Sequence, residues 1–134
     1  MFLLDTMVLS ELRKKDRNPG LVRWIGQQKD RDLFVSVVSI GEIERGICRQ
    51  QVRDAAFAQK LAAWLDQLLL SHTDRILPVT IPIARRWGQL GAELGRSAAD
   101  ILIAATALVH GMSVVTRNEK HFAPAGVRLI NPWA

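Results

Sequence analysis

The sequence predicts one α/β domain over residues 1–134, in which helices cover both faces of a mostly parallel sheet of about five strands. Short apolar segments alternate with longer amphipathic segments along the chain, and this alternation is typical of βαβ units. Hydrophobic residues make up 49% and charged residues 23%, which is the balance of a globular domain. No internal repeat, low-complexity stretch or linker divides the chain, so a single domain is expected.

Local patterns predict the elements in chain order. Apolar or β-branched runs predict strands at residues 2–4, 33–38, 76–79, 113–116 and 127–130. Apolar residues at helical spacing predict helices at residues 8–15, 18–25, 39–50, 54–70, 81–94 and 98–110. Pro78 indicates an edge strand or a strand end, because proline cannot donate a hydrogen bond to a sheet. Gly111 is expected to end the last long helix as its C-terminal cap.

Composition excludes several classes of protein. The longest apolar run, residues 101–109, has nine residues, whereas a membrane span needs about 20. The start lacks the basic and long apolar regions of a signal peptide, so a cytoplasmic protein is expected. Cys48 is the only cysteine, which excludes an internal disulfide and a cysteine-ligated metal cluster. Its thiol is expected to be buried and structural.

The chain is basic, with a net charge of +5 and a pI of about 10.1. An excess of lysine and arginine favours a polyanionic partner, of which nucleic acid is the commonest. The densest basic stretch is RKKDR at residues 13–17.

Three acids fall near predicted helix starts: Asp5 at the end of the first strand, and Glu42 and Asp100 each in the first turn of a helix. In open α/β sheets, ligands bind outside the carboxyl ends of the strands, so these carboxylates are expected to share one crevice. Converging carboxylates repel one another, and a hard divalent cation is their usual companion. Asp100 also precedes a helix that is apolar almost all round, where an unpaired acid is costly.

Each acid also has a purely structural explanation. Ser39 and Glu42 have the spacing of a capping box, and Ser97 and Asp100 have the same form with aspartate. Asp5 could cap the helix that follows it. Taken singly, each acid fits a cap at least as well as a catalytic role.

The motifs in sequence order resemble one family. MFLLDTMVLSEL, VSVVSIGEIERGI, SAADILIAATALVHGMSVVTRNEKHF and LINPW together resemble a PIN-domain ribonuclease, and more narrowly the VapC toxins of bacterial toxin–antitoxin pairs. The resemblance extends from residue 2 to residue 133. It implies a PIN-like fold in which Asp5, Glu42 and Asp100 bind metal. It also implies a polar border to the site, made by Thr6, Thr116, Arg117, Asn118 and His121.

Two positions depart from the family's pattern. Met7 stands where the family usually has an asparagine that supports the first acid, and His121 stands where it usually has a fourth acid. Imidazole is a poor ligand for Mg²⁺ but a reasonable one for Mn²⁺. The sequence alone therefore does not fix the number of metal ions.

The resemblance implies a Mg²⁺- or Mn²⁺-dependent endoribonuclease that cuts transfer or ribosomal RNA. Asp5 and Asp100 are then expected to be direct ligands, and Glu42 to act through a water or as its base. Arg117 is the cation nearest the site in sequence and the candidate for a phosphate contact. The expected partners are a small VapB-like antitoxin and a second copy of the chain, which would form a homodimer across the helices of the N-terminal half.

Two alternatives from other classes remain. A catalytically degenerate PIN fold could bind RNA or a protein without cutting, and His121 in place of an acid keeps this alternative open. A metal-dependent phosphatase of similar architecture is disfavoured, because Asp5-Thr6-Met7 lacks the second acid of the common phosphatase motif. No glycine-rich nucleotide-binding motif is present, and the three histidines lack ligand spacing. The four tryptophans are expected in the core.

Overall fold

The computed structural model describes residues 1–134. Its strands are β1 Phe2–Leu4, β2 Leu33–Ser36, β3 Ile76–Leu77, β4 Ser113–Val115 and β5 Leu129–Ile130. Its α-helices are α1 Thr6–Arg13, α2 Pro19–Gly26, α3 Val37–Arg53, α4 Ala55–Ser71, α5 Ile81–Leu94, α6 Ala99–His110 and α7 Glu119–Phe122. Short 3₁₀ turns lie at Asp30–Asp32 and Ala123–Ala125. None of the helices has the length and apolar character that crossing a membrane requires.

All neighbouring strands of the sheet are parallel, in the order β3-β2-β1-β4-β5. The predicted α/β fold with five parallel strands is therefore confirmed. The chain begins in the middle of the sheet, builds one side with β2 and β3, and then crosses to the other side with β4 and β5. The strand order thus reverses at β1, which is where open α/β sheets bind their ligands. Pro78 directly follows β3, and β3 is an edge strand, so Pro78 marks a strand end at the edge of the sheet as the sequence indicated.

Two separate cores cover the two faces of the sheet. Leu3 and Val114 belong to one core, whereas their neighbours Leu4 and Val115 belong to the other, because side chains alternate along a strand. Helices α5 and α6 supply much of the first core, and α3 and α4 much of the second. Helix α6 is buried over most of its surface, as its apolar sequence predicted. The tryptophans pack against these two cores.

The predicted boundary between β2 and α3 was wrong. The β-branched Val37 and Val38 favoured a strand to residue 38, but the strand ends at Ser36 and the helix begins at Val37. The Ser36 side chain accepts a hydrogen bond from the Val38 amide at 3.0 Å and so caps the helix two residues early. Helix α1 likewise begins at Thr6, two residues before the prediction.

The predicted burial of Cys48 was also wrong, because this thiol is exposed. On α3, the buried residues Ile43 and Ile47 are four positions apart and face the sheet. Cys48 follows Ile47 and therefore lies about 100° farther round the helix, toward solvent.

Candidate active site

An open cavity of about 480 Å³ lies at the carboxyl end of β1. Six of the predicted residues line it: Asp5, Thr6, Glu42, Asp100, Asn118 and His121. Asp5 comes from the end of β1, Glu42 from α3 and Asp100 from the first turn of α6. The fold therefore brings the three acids to one cavity from positions far apart in the sequence.

Asp5 is the most enclosed of the three acids, with 6% of its surface exposed. One carboxylate oxygen accepts the Thr6 amide at 2.8 Å, so Asp5 does cap α1. The other oxygen accepts the hydroxyl of Thr116 at 2.9 Å. This contact follows from the sheet, because Leu4 pairs with Val115 and the next residues, Asp5 and Thr116, are consequently side by side.

Burial raises the pKa of Asp5, and the nearby negative charges of Glu42 and Asp100 raise it further. The hydrogen bonds from Thr116 and Thr6 act in the opposite direction without cancelling the effect of burial on the pKa. The folded chain thus holds the Asp5 carboxylate where its negative charge is disfavoured. A perturbed pKa of this kind is common at functional sites.

The raised pKa predicts that Asp5→Asn stabilises the protein at pH 7 in the presence of a chelator, by a few degrees in Tm. The pKa of Asp5 is higher in the folded chain than in the unfolded chain, so the folded chain favours the protonated carboxyl group. This contribution to stability is lost as the pH rises through the pKa of the folded state. The asparagine amide of the variant carries no charge, so it avoids this loss of stability, and its oxygen can still cap α1. The gain should shrink as the pH falls toward 4, which thermal unfolding at a series of pH values would measure. The exposed Asp66→Asn on α4 is the control, and an equal gain there would contradict the assignment.

Glu42 does not form the predicted capping box. Ser39 and Glu42 lie inside α3, whose cap is Ser36. The Glu42 carboxylate instead accepts the Thr6 hydroxyl at 2.6 Å, and the buried Ser39 hydroxyl bonds the same Thr6 oxygen at 2.8 Å. This small cluster connects α3 to the residue that follows Asp5. Glu42 therefore belongs to the cavity wall and not to a helix cap.

Asp100 does not cap α6 together with Ser97, because the N-cap position is Ala98 and no side chain caps that helix. The Asp100 carboxylate is paired with the Arg96 guanidinium at 2.6 Å. The same guanidinium donates to the backbone carbonyl of His121 at 2.7 Å. Arg96 thereby connects the start of α6 to α7 across one wall of the cavity.

Of the predicted residues after β4, some line the cavity or bond its acids and one lies outside it. The Thr116 hydroxyl also accepts the Asn118 amide at 2.9 Å, so it connects Asn118 to Asp5. His121 is exposed and lines the cavity, while the adjacent Phe122 is fully buried in the core. Arg117 is exposed and is not part of the cavity lining.

The side-chain chemistry of the cavity fits a hard divalent cation. Its acidic lining offers oxygen donors, and burial raises the pKa of Asp5, so a cation beside this carboxylate would favour its charged form. No three acidic, histidine or cysteine side chains are close enough to form a ready three-ligand site. This arrangement still suits Mg²⁺, which is usually held by one or two carboxylates and retains several waters.

The family model described as PIN domain matches residues 2–126 of this chain. The chain belongs to the PIN-domain family. One relative of this PIN domain is "VapC ribonuclease Y4jK" of Sinorhizobium fredii, which is 33% identical over 99% of this chain and 98% of its own length.

Two solved structures show the same PIN fold. FitAcB from Neisseria gonorrhoeae has a TM-score of 0.86 and 32% identity, covering 99% of both chains. VapBC-5 from Mycobacterium tuberculosis, a member of the VapBC family of toxin–antitoxin systems, has a TM-score of 0.61 and 25% identity, covering 96% of both chains. The predicted resemblance to VapC-like PIN domains is confirmed.

Sequence reasoning did not identify the two arginines that pair with the acids of this PIN-domain cavity. Arg45 lines it directly, with its guanidinium 4.0 Å from the Glu42 carboxylate, and Arg96 pairs with Asp100. The Arg45–Glu42 pair could have been found from spacing alone, because residues three apart on a helix are neighbours, whereas Arg96 precedes α6 and has no such signal. The Ser39 contact joins residues 33 positions apart and likewise has no local signal.

Proposed function

We propose that this PIN domain is a Mg²⁺- or Mn²⁺-dependent endoribonuclease that cuts transfer or ribosomal RNA, and that it is the toxin of a type II toxin–antitoxin pair. The observation that carries the proposal is the position of Asp5, Glu42 and Asp100 on one open cavity. Glu42 and Asp100 are not helix caps, so capping does not explain their presence at the cavity. The relative named VapC ribonuclease supports RNA as the substrate.

In this proposal Asp5 and Asp100 hold the metal ion. A bound Mg²⁺ or Mn²⁺ supplies an acidified water and neutralises negative charge on the phosphate. Glu42 orients the attacking water and accepts its proton, and the Thr6 hydroxyl fixes the direction of the Glu42 carboxylate. The Thr116 hydroxyl fixes the direction of the Asp5 carboxylate in the same way. Arg45 is the lining cation that can approach a phosphate, because its side chain is 64% exposed.

The proposed partner is an antitoxin whose inserted segment covers the cavity and presents an arginine to its acids. A guanidinium among carboxylates offsets their repulsion when metal is absent, as Arg96 already does for Asp100. The relation to VapBC-5, described as a toxin–antitoxin system, supports this partner. We also propose a cytoplasmic homodimer that forms through helices of the N-terminal half.

A degenerate PIN fold that binds RNA without cutting is the second candidate. Two observations favour it: His121 lies at the cavity where the family's pattern has an acid, and Arg96 already pairs with Asp100. The two candidates differ in one measurable property, which is metal-dependent cleavage.

The test is to incubate the purified chain with total transfer and ribosomal RNA in Mg²⁺, in Mn²⁺ or in excess chelator. We expect discrete RNA fragments with either metal and none with chelator, because the acids alone cannot neutralise the phosphate. Fragment ends are then mapped by sequencing to identify the substrate. Cleavage that persists unchanged in chelator would contradict the metal role, whereas binding without cleavage would favour the degenerate fold.

A further inference from the structure

The acid cavity has a methionine at its edge. Met7 lies in the first turn of α1, two residues after Asp5, and lines the cavity together with the three acids. At 41% exposure its side chain is reached by solvent, and it is not part of either core. Core packing therefore does not account for this residue.

The sulfur of Met7 is connected to the most enclosed acid through hydrogen bonds. The Asn118 side-chain amide donates to the sulfur. The Asn118 backbone amide donates to the Thr116 hydroxyl, and this hydroxyl donates to the Asp5 carboxylate. A thioether sulfur is only a weak acceptor. The Met7 sulfur is therefore the weakest acceptor of this set, and a chemical change at the sulfur acts on the contacts of Asp5.

The three methionines of the chain differ in how easily an oxidant reaches them. Met112 is 4% exposed and packs in the core with α5 and α6. Met1 is 61% exposed but does not line the acid cavity. Met7 is the one methionine that is both open to solvent and part of the cavity. Peroxide that diffuses into the cavity therefore meets the Met7 sulfur.

We propose that Met7 is a site of reversible oxidation by peroxide, and that its sulfoxide strengthens the binding of Mg²⁺ in the acid cavity. The sulfur lone pair attacks one peroxide oxygen, the O–O bond breaks, and a sulfur–oxygen bond forms. The other oxygen leaves with both hydrogens as water, so an electron pair passes from sulfur to oxygen and peroxide is reduced. Methionine sulfoxide reductases return the side chain to the thioether. This inference rests on the proposed function and adds regulation to the same site.

The sulfoxide changes the kind of donor that the cavity offers. Thioether sulfur suits soft metal ions, whereas Mg²⁺ is hard and takes oxygen ligands. The sulfoxide group is polar but has no net charge, so it adds an oxygen donor without adding to the repulsion among Asp5, Glu42 and Asp100. Its oxygen is also a stronger acceptor for the Asn118 amide than the sulfur is. Oxidation therefore favours a hard cation beside the acids.

The experiment follows modification and metal binding separately. The purified chain is treated with hydrogen peroxide in chelator, the reagents are removed, and peptide mass spectrometry locates the added oxygen. We expect the mass of a single oxygen atom at Met7 and no addition at Met112. Isothermal titration calorimetry with Mg²⁺ then compares treated and untreated protein. The treated protein should bind Mg²⁺ roughly tenfold more tightly, at the lower end of the effect of groups that support a metal site. Methionine sulfoxide reductases should reverse the gain.

The matched control is Met7→Leu, which keeps an apolar side chain at this position. This variant retains Met1 and the exposed Cys48, the other groups that peroxide reaches. Its affinity for Mg²⁺ should be the same before and after peroxide. Met7→Gln places a neutral oxygen near the position of the sulfoxide oxygen, and it should bind Mg²⁺ more tightly than Met7→Leu without any oxidant.

Each other outcome has a definite meaning. An equal change of Mg²⁺ affinity in peroxide-treated Met7→Leu would assign the effect to Met1 or Cys48 and overturn the proposal. Oxidised Met7 with unchanged Mg²⁺ affinity would overturn it as well, and so would a Met7 that stays unmodified while Met1 is oxidised. A Met7-dependent gain of Mg²⁺ affinity in a chain that never cuts RNA would support the oxidation site while rejecting the proposed nuclease. Absence of Mg²⁺ binding before and after treatment would reject both.

Discussion

Asp5→Asn, Glu42→Gln and Asp100→Asn should each lower the rate of RNA cleavage by a hundredfold or more. Replacing groups that only support a metal ligand typically costs about 10–100-fold in affinity or activity, so loss of a ligand or base should cost at least as much. Each change keeps the size of the side chain and removes only its charge. The rate is measured on purified RNA in Mg²⁺, and growth arrest on expression gives a second reading.

The control for this prediction is Glu44→Gln. Glu44 lies on the same helix as Glu42, but it is exposed and does not line the cavity. The Glu44→Gln variant should cut RNA at the wild-type rate. Circular dichroism should show all four variants folded, because Asp5→Asn keeps its cap and the other two acids cap nothing. Near wild-type cleavage by all three acid variants would remove these residues from the catalytic site.

Phe122→Ala should destabilise the fold by about 3–5 kcal/mol, the usual cost of removing a buried aromatic ring. Phe122 is 1% exposed and packs in the core formed with α5 and α6. A domain of this kind has a total stability of only about 5–15 kcal/mol, so this variant should be near the limit of folding. Chemical denaturation followed by circular dichroism gives the difference in the free energy of unfolding.

His121→Ala provides the comparison, because the two residues are adjacent and have opposite environments. His121 is exposed, and exposed positions usually change stability by no more than about 0.5 kcal/mol. The expected effect of His121→Ala is therefore confined to RNA cleavage and its dependence on metal concentration. An equal loss of stability in His121→Ala and Phe122→Ala would contradict the assignment of Phe122 as the residue that anchors α7 in the core.

The fold was predictable because its signals are local. Apolar runs and helical spacing identify the strands and long helices, and the parallel sheet follows from their alternation. The boundary at Ser36 was missed because a single capping bond outweighed the strand preference of Val37 and Val38. Cys48 was misplaced because burial was assigned from residue type, whereas the phase of α3 set by Ile43 and Ile47 decides it.

The site was predictable in part. The three acids were found from their positions at a predicted strand end and in predicted first turns of helices, together with the motifs around them. Their partners were not, because the hydrogen bond from Thr116 to Asp5 spans 111 residues and that from Thr6 to Glu42 spans 36. Such contacts depend on strand order and register, which composition and periodicity do not specify. Arg96 is only four residues from Asp100, but it precedes α6, so helical spacing does not predict this pair either.

The central position of β1 has a consequence for how this protein is made. Asp5 is synthesised early, but Thr116, which orients it, follows β4 and is synthesised more than a hundred residues later. For most of this interval β1 lacks β4 on one side and the cavity lacks α6, and α7 is synthesised only afterwards. At about 5–20 residues per second, this interval lasts on the order of ten seconds. Under the proposed function, a growing chain therefore cannot yet cut RNA, because its acid cavity is completed only at the end of synthesis.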